Sequence, residues 1–115
     1  MLFRSQNAAL DAAAARETKA RRAAEDQIKQ AYDQVVTGIE KARAARAQVA
    51  ATTLAVSLSR DRYQSGTATQ LDVTQAQRDA FLAEVARISA DADLAYARAS
   101  LRLSTRRASG SEDKK

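Results

Sequence analysis

RDRYQSGTATQLDVTQAQ, residues 60–77, is the one interruption in a chain otherwise built to be helical. Gly66 is one of three glycines, proline is absent, and both flanks are alanine-rich, amphipathic and charged. A helix arriving at this stretch stops near Gly66, where a left-handed residue is wanted and glycine adopts that conformation cheaply. A second helix starts near Leu71. Thr69-Gln70-Leu71-Asp72 has the spacing of a capping box: the Thr69 hydroxyl accepts from a backbone N–H at the helix start, and the Asp72 carboxylate reaches back. Asp72 also suits the positive end of the helix dipole. Capping alone accounts for Gly66, Thr69 and Asp72. With so short a turn the second helix must fold back along the first. The expected fold is all-α, a long antiparallel coiled-coil hairpin with unequal arms and no β-barrel strands.

Outward from the turn, Ser5 can cap a first helix over 5–64, the tip occupies 65–70, and the returning helix runs over 71–105. Residues 1–4 read as the remnant of a preceding strand or loop. RRASGSEDKK, residues 106–115, reads as a disordered polar tail. Gly38 interrupts the first helix at a cost of only ~1 kcal/mol relative to alanine. At ~1.5 Å per residue the arms are roughly 90 Å and 54 Å long. The shorter arm then pairs back only to about Gln30. Residues 5–28 are left projecting, helix-prone but almost without large apolar groups, and such helices are marginal alone in water.

The periodicity of the returning helix is clean. Phe81, Val85, Ile88, Ala92, Ala95 and Ala99 step by four and three. A second series, Val73, Ala76, Ala80, Ala83, Arg87, Ala90, Leu94, Ala97 and Leu101, does the same, and only Arg87 breaks its apolar character. Phe81, Val85, Ile88, Leu94 and Leu101 are the seam-packing candidates. On the first helix Ile28, Tyr32, Val35, Ile39, Ala42, Val49, Val56 and Tyr63 share one heptad frame, with Arg46, Thr53 and Arg60 as polar intrusions. Ala44, Ala47, Ala51, Leu54 and Leu58 form a second frame beside it. Two seams per helix point to a neighbour on each side, as in a closed ring of helices. A three- or four-helix bundle with one broad apolar stripe fits the same pattern.

Composition sets the limits around this picture. The 115 residues allow one domain at most. Alanine supplies 28 of them, so the 45% hydrophobic content overstates the available core. Two Phe, three Tyr and no Trp leave few large groups to bury. Without cysteine or histidine there is no disulfide, thiolate or histidine-based metal chemistry, and no clustered carboxylate loop suggests a hard cation. No metal, cofactor or catalytic residue is expected. Asp33, Glu40 and Asp61 lie on a solvated rod, and no nucleophile–base pair or phosphate-cradling loop accompanies them. The net charge is +5, but basic and acidic residues are interspersed without aromatics, so a solvated face is expected rather than nucleic-acid binding. No run approaches the ~18 apolar residues of a spanning helix. Met1-Leu2-Phe3-Arg4 lacks the pattern of a secretory signal, and a chain made as written would remain cytoplasmic.

Tyr63-Gln64-Ser65-Gly66-Thr67, then Leu71-Asp72-Val73 and Ala76-Gln77, resembles the hairpin tip of TolC-type outer-membrane efflux proteins. In that family a Y-x-x-G-T…LDV…AQ string joins two long helices in the second of two internal repeats. The resemblance extends from Ser5-Gln6 and the alanine-rich rod to Leu94-Ala95-Tyr96 and Leu101, covering roughly residues 3–105. It implies a C-terminal-repeat fragment of a trimeric duct. Each protomer of such a duct gives strands to an outer-membrane barrel and two hairpins to a periplasmic α-barrel. The hairpin tips meet a periplasmic adaptor protein and an inner-membrane pump. By the same resemblance Ser65, Gly66 and Thr67 match the adaptor-docking tip, Tyr63 a latch between neighbouring hairpins, and Asp72 a carboxylate at the tunnel mouth. Two positions depart from the family. Gln75 stands where a second ring aspartate can follow, and Ala68 where a latching arginine can occur, so a tight electrostatic gate is not carried over. The runner-up reading is a free-standing cytoplasmic coiled-coil module that self-associates.

Overall fold

In the computed structural model, which describes residues 2–112, the chain forms two helices, α1 (Leu2–Gln64) and α2 (Gln70–Glu112). Helix α1 already starts at Leu2, so residues 2–4 are helix and not a strand or loop remnant, and Ser5 does not cap it, since nothing in Leu2-Phe3-Arg4 breaks a helix. Met1 and residues 113–115, the ends of the expected remnant and tail, lie outside the described residues. The helices are joined by the turn at 65–69 and run antiparallel as a flat ribbon of 95 × 24 × 14 Å. The hairpin fold expected from the break at Gly66 is the fold of the protein.

Between the arms lies a single continuous seam. On α1 the covered positions are Ala24, Ile28, Ala31, Val35, Gly38, Ala42, Ala45, Val49, Thr52, Val56 and Ser59. On α2 they include Val73, Ala76, Ala80, Ala83, Arg87, Ala90, Leu94, Ala97, Leu101, Ser104 and Ala108. Both rows alternate steps of three and four without a fault, the period of a coiled-coil seam. The α2 row is the series that carries Leu94 and Leu101. The register is set by Leu94, whose Cδ1 would lie 3.2 Å from a Cβ built on Gly38. Leu94 therefore fills the space that Gly38 leaves open.

The α1 seam differs from the expected frame at every second position. Ile28, Val35, Ala42, Val49 and Val56 turn inward, but Ala31, Gly38, Ala45, Thr52 and Ser59 alternate with them, in place of Tyr32, Ile39, Arg46, Thr53 and Arg60. Tyr32 is 59% exposed. Size is the physical reason: small residues let the two backbones approach closely, whereas a row containing Tyr32 and Ile39 would hold them apart. Thr52 is buried at no polar cost, because its hydroxyl donates to the Gln48 carbonyl of its own helix at 2.8 Å.

Helix α2 also runs past residue 105, through the first residues of the segment read as a disordered tail. Nothing there stops it: proline is absent, Gly110 is only a weak breaker, and Ala108 continues the seam half-covered by α1. Counted from the Gly38–Leu94 contact, Ala108 is level with Ala24, so the arms pair about six residues further than Gln30. Beyond that point residues 4–23 are exposed throughout.

The shared core is thin. Its buried apolar members are Ala31, Ala42, Ala83, Leu94 and Ala97, and no side chain among the described residues is fully enclosed. Only Leu94 brings the ~1.5–3 kcal/mol that burial of a large aliphatic group contributes. Ile28, Val35, Val49, Val56, Val73 and Leu101 are only half-covered along the seam, and Leu54, Phe81, Ile88 and Tyr96 face outward.

Candidate functional site

The tip is built by two interlocking caps. Gly66 sits at φ +82°, and the two bonds around it form the helix-ending motif in which a left-handed residue redirects the chain. Its N–H donates to the Tyr63 carbonyl at 3.2 Å, and the Thr67 N–H donates to the Arg62 carbonyl at 2.8 Å. The Arg62 carbonyl gathers more donors: the Ser65 hydroxyl at 3.0 Å, and the Thr67 hydroxyl and Ala68 N–H each at 3.2 Å. A Cβ on Gly66 would meet nothing within 4 Å, so backbone conformation alone, not space, selects glycine here.

Thr69 and Asp72 exchange hydrogen bonds across the start of α2. The Asp72 N–H donates to Thr69 Oγ1 at 3.3 Å, and the Thr69 N–H donates to Asp72 Oδ2 at 3.0 Å. The Thr69 N–H first, and then the Thr69 hydroxyl, hold the exposed Asp72 carboxyl below its ordinary value. Asp72 therefore carries full negative charge at the mouth of the helix dipole at any neutral pH. Tyr63 is half exposed, and its hydroxyl donates to Gln70 Oε1 at 3.4 Å, spanning the turn. Ser65, Gly66 and Thr67 are all exposed at the apex. Beside the tip, a shallow groove of about 450 Å³ opens on one broad face, lined by Thr53, Val56, Ser57, Arg60, Asp61, Gln64, Gln77 and Ala80.

Of the seam candidates, Leu94 is buried and Leu101 half-buried against α1. Phe81, Val85 and Ile88 lie on the far side of α2, 68%, 49% and 59% exposed, and take no part in the seam between the arms. They belong to an outward edge with Leu71, Leu82, Tyr96 and Leu103. The outward edge of α1 carries Ala44, Ala47, Ala51, Leu54 and Leu58, all exposed. The two apolar edges point away from each other, on opposite sides of the ribbon.

One arrangement escaped the sequence reading. Arg87, at a seam position, swings out so that Nε donates to Glu84 Oε2 at 3.0 Å and Nη1 to Asp91 Oδ2 at 3.2 Å. Asp91 Oδ1 in turn accepts from Arg46 Nη2 at 3.3 Å, tying α2 to α1. Glu84 and Asp91 raise the Arg87 pKa further, with the Glu84 hydrogen bond first among the causes, so its charge is permanent. The signal was present in the acids three residues before and four after Arg87, the spacing at which helix side chains meet.

Among the described residues no cluster of acidic side chains could hold a metal, and no helix is long and apolar enough to cross a membrane. Compared with known proteins, the chain matches the profile of the outer membrane efflux protein family over residues 2–105. This chain belongs to that family. No curated protein and no solved structure matches it.

Proposed function

We propose that this hairpin is a wall segment of a trimeric outer-membrane efflux or secretion channel, in which its two helices line up with others to form the periplasmic tunnel. The placement of the large apolar groups carries this reading. A bundle would gather them on one broad face; here Leu54 and Leu58 of α1 and Phe81, Val85, Ile88 and Tyr96 of α2 occupy opposite edges of a flat ribbon, which suits a neighbour on each side. Family membership supports the same role. The role is structural and conductive rather than enzymatic, placed at the outer membrane and periplasm.

In this reading the apex residues Ser65, Gly66 and Thr67 dock the periplasmic adaptor that links the channel to an inner-membrane pump. Tyr63 latches neighbouring hairpins, and Asp72 contributes charge at the tunnel mouth. The exposure of these groups at one end of a 95 Å rod suits an end-on contact. The test is made in the full-length channel. Gly66→Pro removes the N–H that closes the helix end, and Asp72→Arg reverses the charge of the cap. Both are expected to weaken adaptor binding and transport, measured by pull-down and by export of a reporter solute. Unchanged binding and export in both variants would contradict the docking role.

A further inference from the structure

We infer that the projecting end of α1, residues 4–23, docks on an anionic lipid surface through Arg16, Lys19 and Arg22. The first observation is the distribution of charge along the rod. Residues 4–23 carry five cations, Arg4, Arg16, Lys19, Arg21 and Arg22, against two acids, Asp11 and Glu17, a net of +3. Residues 27–101, where the arms pair and turn, carry nine cations against eight acids. Excess positive charge is therefore densest toward the end farthest from the tip.

Placement on the helix is the second observation. The seam line, continued from Ala24 toward the N-terminus in steps of three and four, passes through Arg21, Glu17, Ala14 and Leu10. Glu17 and Arg21 lie four apart on it, the spacing at which opposite charges offset each other. The outward line of Ala44, continued in the same steps, reaches Lys19 and Arg16. Arg16, Lys19 and Arg22 follow one another at three-residue intervals, so they share a side of the helix turned away from the seam. All three are exposed. A helix laid along the seam line of this arm would leave them open.

Electrostatics selects the occupant. The same arm of a second copy brings the same net +3 and is repelled. No aromatic residue lies between Phe3 and Tyr32, so the arm offers nothing on which an unpaired base could stack. An anionic bilayer asks only for cations held at its surface, and each strengthens binding about fivefold. Three together amount to roughly a hundredfold. This contact is additional to the wall-segment role and independent of it.

The test is co-sedimentation of the 115-residue chain with vesicles of phosphatidylcholine containing about one-third phosphatidylglycerol, set against pure phosphatidylcholine. Binding to the anionic vesicles alone is expected at about 0.1 M salt, where charges act over ~10 Å. It is expected to be lost at about 1 M, where they act over ~3 Å. Arg16→Gln, Lys19→Gln and Arg22→Gln combined are expected to weaken it at least about tenfold, and Lys19→Gln alone about fivefold. Glutamine matches lysine and arginine in helix propensity, so helix content by circular dichroism is expected to hold. Arg43→Gln, Arg60→Gln and Arg78→Gln combined remove the same charge from the paired part of the rod and are expected to weaken binding less than about threefold. Equal binding to both vesicle types, binding to neither, or equal weakening by the two triple variants overturns the inference. So does tighter binding to duplex DNA than to anionic vesicles at the same salt, which would assign the cations to a polynucleotide.

Discussion

Two glycines in this hairpin do opposite jobs, and substitution separates them. Gly66 has open space around its Cα but a left-handed backbone. Gly66→Ala is expected to cost about 1–2 kcal/mol, the penalty of placing a β-carbon in that conformation. Gly66→Asn should recover part of it, because asparagine tolerates the region. Gly38 has ordinary helical geometry but Leu94 pressed against it. Gly38→Val is expected to cost ~1–3 kcal/mol by overpacking, despite a gain in helix propensity. Denaturant unfolding at fixed protein concentration measures both. Asp72 adds a pH dependence at the same scale. Its folded pKa lies below the ordinary 3.8, so its capping contribution is complete above that value and is lost as pH falls through it and past the lowered folded value. Asp72→Asn should therefore reduce the thermal midpoint at pH 6 and leave it nearly unchanged near pH 2. Gly66 announced its role in the sequence because no residue type competes with it at a helix end. Gly38 did not, because a mid-helix glycine looks the same whether it is crowded or bare.

At the scale of the helices, the arms are held by small residues punctuated by Leu94 and one charge network. Leu94→Ala removes the only large buried side chain among the described residues and is expected to cost at least ~2 kcal/mol, the lower end for core truncations, since the core is shallow. Arg46 and Asp91 are 67% and 32% exposed, so their bridge contributes little. A double-mutant cycle with alanine at both positions should give a coupling of ~0.2–1 kcal/mol that fades in high salt. The existence of both helices, their reversal and the α2 seam were readable from spacing alone. The α1 seam was not. Tyr32 and Ile39 stood out by hydrophobicity, whereas Ala31, Gly38, Ala45, Thr52 and Ser59 offer no contrast, and their value comes only from letting another helix close. The same bias toward bulk marks Phe81 as a seam residue. In this ribbon it is the edge. The far end of α2 looks like a loop for a related reason, since serine, glycine and charge suggest one until a neighbouring arm gives Ala108 something to cover.

Across the whole molecule, most of the large apolar surface is left for partners to cover. Leu54, Leu71, Phe81, Leu82, Ile88, Tyr96 and Leu103 are all more than half exposed, and residues 4–23 of α1 have no arm beside them. Family membership fits the proposed channel wall, in which neighbours would flank the hairpin on both sides. The motif at the turn pointed to that family from the sequence, yet which residues face outward became legible only once the seam between the arms was located. The central claim is that this hairpin is an incomplete wall, stable in full only when its edges are covered. Thermal unfolding of the 115-residue chain, followed by circular dichroism over a hundredfold range of micromolar concentrations with sedimentation at each, tests it most directly. Self-association and a midpoint that climbs with concentration are predicted, because lateral binding stabilises the folded state by mass action. A monomer with a sharp transition at one temperature throughout that range would contradict it.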